Sequence, residues 1–291
     1  MTTRVGCVYR PQFAPEQLAV TARAADEAGV DDLWLWEDCF LSGGVSMATI
    51  ALSHSERLAV GVGVLPVPMR NVAVMAMEIA TLNRVFPGRV RIGVGHGVQD
   101  WMRQIGEKVA SPMTLLREYF TCLAALLRGE SVTYTGKYVS LDGVKLDWPP
   151  GRDIELFAAA MGPRTLELSG GLATGTVITG GTTPDVQRDA IDHIQRGMAK
   201  RTAPAPHSIV TYLMCAYGPD ASTQIHDEIG RWGFSETDDV AAYGDAQAIA
   251  AAARRWIDAG TDTIVFQPAP DVDIEGFVRF VGDDVQPLLK D

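Results

Sequence analysis

The chain has no Cys-x-x-Cys pair, no G-x-S-x-G, no G-x-G-x-x-G and no run of about 18 apolar residues. These absences argue against a zinc ribbon, a hydrolase nucleophile elbow, a Rossmann dinucleotide fingerprint and a membrane-spanning helix. Cysteine is scarce, with only Cys7, Cys39, Cys122 and Cys215. Cys7, Cys122 and Cys215 lie in apolar or mixed segments and are expected to be small buried thiols. The five histidines show no metal-ligand spacing, so no metal site is expected. MTTRVGCVYRPQF lacks the continuous apolar core of a signal peptide, so a cytoplasmic setting is expected. Positive charge is in deficit: the formal net charge is −11. That far field repels phosphate, which disfavours nucleic acid and anionic membrane as partners. A local helix N-terminus or a single arginine can still hold an anion.

What is present is an ordinary globular composition, 47% hydrophobic and 21% charged in 291 residues. A chain this long buries about three quarters of its unfolded surface. Short β-branched runs alternate with longer amphipathic stretches. Strands are expected at 4–8, 32–36, 58–64, 90–94, 154–159, 176–179, 208–216 and 263–266. Helices are expected at 15–28, 45–53, 72–85, 112–127, 163–172, 184–199, 220–231, 245–258 and 274–289. After the fourth strand, 131–134 and 138–141 flank a Thr-Gly-Lys turn and predict a hairpin insertion. Eight strand–helix units predict one (β/α)₈ TIM barrel over residues 1–291; an open doubly wound sheet is the alternative.

A barrel carries its site at the carboxyl ends of the strands. The second strand ends in Trp36, Glu37, Asp38, Cys39 and Phe40, and the third in Gly63, Val64, Leu65 and Pro66. The fourth ends in Gly93-Val-Gly-His-Gly97, the fifth in Ala159, Ala160, Met161, Gly162 and Pro163, and the sixth in Thr179, Gly180 and Gly181. Glycine at four of these five ends lets backbone approach a ligand closely. Glu37 and Asp38 are adjacent acids, so one is expected to face inward and one outward. Either could relay a proton or make a polar contact. Gly162-Pro163-Arg164 opens a helix, where free N–H groups and a guanidinium suit phosphate or carboxylate. His96 reads either as a pocket hydrogen-bonding group or as a structural residue.

Several strand ends carry a further likeness. LWLWEDCF (33–40), LAVGVGVLPVPMR (58–70), GRVRIGVGHG (88–97), the 154–178 segment with AAAMGPRTLELSGGLATGTVI, and GTDTIVFQP (260–268) together resemble the luciferase-like oxidoreductases. The pattern is most similar to the branch using coenzyme F420, a deazaflavin. The resemblance implies hydride exchange between the deazaflavin C5 and a small organic substrate, with FMN as the alternative cofactor. It implies a non-proline cis peptide at Gly63–Val64 backing the ring, Asp38 at its polar edge, and Gly95, His96 and Gly97 near its linker. Ala159, Ala160, Met161, Gly162 and Arg164 would surround the phosphate-bearing chain, and Gly180 joins the cofactor-binding set at the next strand end. The catalytic candidates are Glu37, Asp38 and Cys39. Cys39 and Val98 stand where sugar-phosphate-oxidising members have a histidine base and a glutamate acid. A reductase is therefore expected over a sugar-phosphate dehydrogenase. An FMN-dependent monooxygenase and a non-catalytic cofactor-binding barrel are the other readings. The resemblance also implies homodimer formation.

Overall fold

The computed structural model describes residues 3–152 and 154–290. In chain order its strands are β1 (Arg4–Val8), β2 (Asp32–Leu35), β3 (Ala59–Pro66), β4 (Val90–Gly95), β5 (Val132–Thr135), β6 (Ser140–Val144), β7 (Glu155–Ala159), β8 (Gly175–Ile178), β9 (Ser208–Tyr217), β10 (Ala241–Gly244) and β11 (Thr263–Pro268). The helices are α1 (Leu18–Glu27), α2 (Gly44–Ser53), α3 (Val72–Val85), α4 (Gln99–Gln104), α5 (Pro112–Leu127), α6 (Pro163–Leu172), α7 (Pro184–Met198), α8 (Ala221–Arg231), α9 (Ala246–Asp258), α10 (Ile274–Phe280) and α11 (Gln286–Lys290). Eight parallel strands run β11-β1-β2-β3-β4-β7-β8-β9, and β9 pairs with both β8 and β11. The sheet therefore closes, and the fold is the expected (β/α)₈ barrel. Among the described residues no helix is long and apolar enough to cross a membrane.

The lumen is filled in three levels. At the amino-terminal end Asp32 is fully buried, accepting from Arg4 Nε at 2.8 Å and from Arg91. Arg91 Nε also meets Glu155 Oε2 at 2.9 Å. Four strands, β1, β2, β4 and β7, are thus tied together at the base. Above them Val8, Trp34, Phe157, Val177, Val210, Tyr212 and Val265 form an apolar plug. Trp34 meets Phe157 edge-on, with centroids 5.7 Å apart. Room for that indole comes from Gly61, where a Cβ would lie 2.3 Å from the ring. The third level, at the carboxyl ends, is the mouth.

Differences from the sequence expectation have physical causes. The second strand of the hairpin β5–β6 starts two residues later and ends three later than expected. Glu118 on α5 accepts the N–H groups of Lys137 (2.8 Å), Tyr138 (2.8 Å) and Val139 (3.1 Å), so the turn closes on a carboxylate and not on Thr-Gly-Lys. The closing helix is broken by a π turn at Val281–Val285, where Gly282 approaches Ala28 so closely that a Cβ would meet its carbonyl at 2.5 Å. α4 and β10 were not expected; β10 pairs with the upper half of β9, a tertiary contact with little local signal.

Glu118→Gln is expected to speed amide exchange at residues 137–139 by at least about tenfold, because an amide offers one acceptor oxygen and not two. Burial raises the Glu118 pKa, but the three N–H donors outweigh it and hold the carboxyl below its ordinary value. The stabilisation from these bonds is therefore complete above the unfolded carboxylate range and is lost as pH falls through the lowered value. Exchange rates at 137–139 in the wild type that stay flat through that acid window would refute the assignment.

Candidate active site

The mouth is built from the ends of β1, β2, β3, β4, β7, β8 and β11. Residue parity decides which side chains enter it. On β2 the lumen residues are Asp32, Trp34 and Trp36, and Trp36 Nε1 donates to Asp38 Oδ2 at 2.9 Å. Asp38 is half-buried. Burial pushes its carboxyl above the ordinary value, against the Trp36 hydrogen bond and the charge of Arg10. Arg10 is itself held: its Nη1 reaches Glu228 Oε1 at 2.5 Å and the Pro268 carbonyl at 3.0 Å.

Glu37 points the other way. It is 7% exposed, and its two oxygens take Arg70 in a bidentate pair at 2.6 and 2.7 Å. Its Oε1 also accepts the Gly44 N–H at 3.0 Å. One acid thus faces the mouth and its neighbour anchors α2 to the loop after β3. The structure places Glu37 as a brace to Arg70 and Gly44, which departs from its expected part as a proton relay. Cys39 lies 3.6 Å from Met69 Sδ, and burial, with Glu37 and Asp38, pushes its thiol up. It is a protonated, packed thiol at neutral pH.

On β3 the Gly63–Val64 peptide is cis, as the resemblance implied, and so is Cys39–Phe40, which nothing in the sequence flagged. The β3–β4 register shifts between Val62 and Leu65. Val64 therefore turns its side chain over β4. A Cβ at Gly93 would lie 2.7 Å from it and one at Gly95 2.8 Å. Those two glycines are what let an isopropyl group seat there. Tyr212 donates to the Gly63 carbonyl at 3.4 Å from across the lumen.

His96 Nε2 and Thr165 Oγ1 are 3.3 Å apart, which joins the end of β4 to the first turn of α6. Burial lowers the His96 pKa against the Pro112 carbonyl, so the ring is neutral at pH 7. Gly97 has φ +70° in the turn that follows. α6 begins at Pro163 after Gly162, which supplies no side-chain cap, and the space where Gly162 would carry a Cβ is open. Met161, Gly162, Pro163 and Arg164 are exposed, Ala159 is half-buried and Ala160 is buried. Gly180 is buried, with a Cβ position 3.1 Å from Gln267 Oε1. Phe40, Leu41, Val98 and Met161 are 65%, 53%, 49% and 77% exposed, so the three loops after β2, β4 and β7 carry bare apolar side chains.

The sequence reading missed Trp36 as the partner of Asp38, Arg10 beside it, and Gln267. The last left a visible signal: a carboxamide inside the apolar run Thr263–Pro268.

The family model described as luciferase-like monooxygenase matches residues 2–269. The chain belongs to this family. Within curated relatives it is 28% identical to the 5,10-methylenetetrahydromethanopterin reductase of Methanolobus tindarius over 75% of the chain. It spans 66% of that protein's length, just under two thirds. It is 27% identical to the F420-dependent glucose-6-phosphate dehydrogenase of Kineococcus radiotolerans, over 96% of this chain and 94% of that one. In three dimensions it superposes on an F420-dependent secondary alcohol dehydrogenase with a TM-score of 0.87, at 20% identity and full coverage of both chains. At that identity the likeness concerns the barrel itself.

Proposed function

We propose that this family member is a coenzyme F420-dependent oxidoreductase, one barrel domain that exchanges a hydride with a small organic substrate and acts as a reductase. The observation that carries the reading is the floor of the mouth, where Val64 lies over Gly93 and Gly95 with half-buried Asp38 close by. This is a flat apolar support with one polar edge, and it fits a planar tricycle. The names of the relatives above agree with it. When bound, the deazaflavin supplies two electrons as hydride at C5.

The chain's own groups do the rest. Val64 backs the ring. Burial raises the Asp38 carboxyl above its ordinary value, and its acid form would supply the substrate's proton. Cys39 stays protonated and packs against Met69. Neutral His96 fixes the first turn of α6 through Thr165. Gly95 and Gly97 leave room for the linker, and Ala159, Ala160, Met161, Gly162 and Arg164 take the phosphate-bearing chain, with the helix N-terminus favouring its charge; Gly180 joins the cofactor-binding set at the next strand end. Oxidising a sugar hydroxyl needs a base and an acid in the mouth; Cys39 and Val98 supply neither. That favours reduction of an activated C=C or C=N bond.

Titration with coenzyme F420 and with FMN tests the reading. F420 is expected to bind the more tightly, and its reduced form to reduce an enone or imine without oxidising glucose 6-phosphate. Dissociation constants weaker than about 1 mM for both, roughly −4 kcal/mol, would end it. Tighter FMN binding with oxygen consumption by the reduced flavin would mark a monooxygenase instead. Tight F420 binding with no turnover on an enone, imine and alcohol panel would mark a binding protein.

A further inference from the structure

Gln267 lies at the carboxyl end of β11, two residues after the lumen residue Val265, and is 1% exposed. Neither its Oε1 nor its Nε2 has a hydrogen-bond partner in the protein. Among the described residues it is the one buried side chain with both ends of an amide bare. Leaving such a group unpaired is expensive, and buried carboxamides are normally satisfied. The buried Trp34 Nε1 is also bare, but it is a single donor on a ring packed against Phe157 within the apolar plug. Gln267 differs. It reaches across the lumen toward β8, where Gly180 has no side chain to cover it. The amide is thus held at the floor of the mouth, offering one donor and one acceptor side by side.

We propose that the Gln267 carboxamide is a specificity-determining group that pairs with a ligand edge carrying N–H beside C=O. The geometry of a carboxamide matches a lactam or imide edge in a two-bond pair. The pyrimidine ring of a flavin or deazaflavin has such an edge, and so would a substrate containing a lactam. The proposal rests on the reading that the mouth holds a ring ligand. It assigns no role to Gly180 beyond leaving the amide uncovered.

The test uses the full chain, with Gln267→Met to keep the volume and remove both polar atoms, and Gln267→Glu to remove the donor. Coenzyme F420 is titrated by fluorescence. Lumichrome, a tricycle with the same imide edge and no phosphate-bearing chain, is titrated in parallel. Thermal unfolding is followed without ligand. In Gln267→Met both affinities are expected to fall by roughly 10- to 100-fold while the ligand-free Tm holds or rises, since an unpaired buried amide has been removed. Gln267→Glu is expected to lose affinity as well. If both affinities hold but KM for the substrate rises at least about tenfold at constant kcat, the edge belongs to the substrate and the proposal stands.

Unchanged affinities and KM in Gln267→Met overturn it, as does a lower Tm with ligand binding intact, which marks a structural amide. The two readings fail separately. A wild type that binds lumichrome in a Gln267-dependent way but neither F420 nor FMN loses the proposed function alone. A wild type that binds F420, with neither ligand affinity nor substrate KM sensitive to Gln267, loses this inference alone. Binding of none of the three overturns both.

Discussion

Asp38→Asn is expected to lower kcat for substrate reduction by about 10²- to 10⁴-fold, the usual loss when a positioned general acid is removed. Affinity for the coenzyme is expected to change by less than about tenfold, because Asn keeps the shape and can still accept from Trp36 Nε1. The pH dependence has a definite sign. Burial raises the Asp38 pKa, so the acid form persists to higher pH than in a free carboxyl. In the wild type kcat should fall as pH rises through that raised value, and this limb should vanish in Asp38→Asn. The same linkage makes ionised Asp38 mildly destabilising: the protonated form favours the fold below the raised value, and that contribution fades as pH passes above it. Rapid-mixing measurement of hydride transfer across pH checks the claim. Equal pH profiles in the two proteins, or a loss in kcat below tenfold, would return Asp38 to a purely positioning part.

Asp32→Ala should destabilise the barrel by about 3–5 kcal/mol, the range for removing one partner of a buried ion pair. For a domain of this size that corresponds to a fall in Tm of roughly 10 °C. The carboxylate is fully buried between Arg4 and Arg91, and Arg91 is itself 9% exposed. Without Asp32, Arg91 keeps only half-exposed Glu155. Arg4→Ala should cost far less, since its side chain is 40% exposed and screened by water. Replacing the pair together, Asp32→Leu with Arg91→Met, should recover much of the loss, because apolar side chains of similar volume remove the desolvation penalty. Thermal unfolding of the four proteins decides it. Activity below the transition should stay near wild type, because this cluster sits at the end of the barrel opposite the mouth. A Tm change under about 2 °C in Asp32→Ala would show the cluster to be energetically idle.

The strand and helix pattern was legible because each barrel strand is buried on both faces and so reads as an apolar run, as in Val90–Gly95 and Thr263–Pro268. Gly63, Val64 and the Gly93–Gly97 run stood out because glycine at a strand end carries its own backbone meaning. Partnerships did not show. Glu37 and Asp38 are alike in sequence, yet Arg70, 33 residues away, takes the first. The Glu118 clamp on the 136–139 turn joins residues about 20 apart, and no local rule for a Thr-Gly-Lys turn includes it.

Local chemistry in the chain thus determined the number and order of the barrel strands, which of their ends gather glycine, and the absence of a histidine–glutamate pair at Cys39 and Val98. Those properties follow from side-chain periodicity and residue identity, which are written position by position. Folding alone decided which acid faces the mouth, which is tied to a guanidinium, and that Gln267 spans the lumen unpaired. Charge pairing and hydrogen-bond satisfaction depend on neighbours across the barrel, and closure of β8 against β9 is what brings those neighbours into reach.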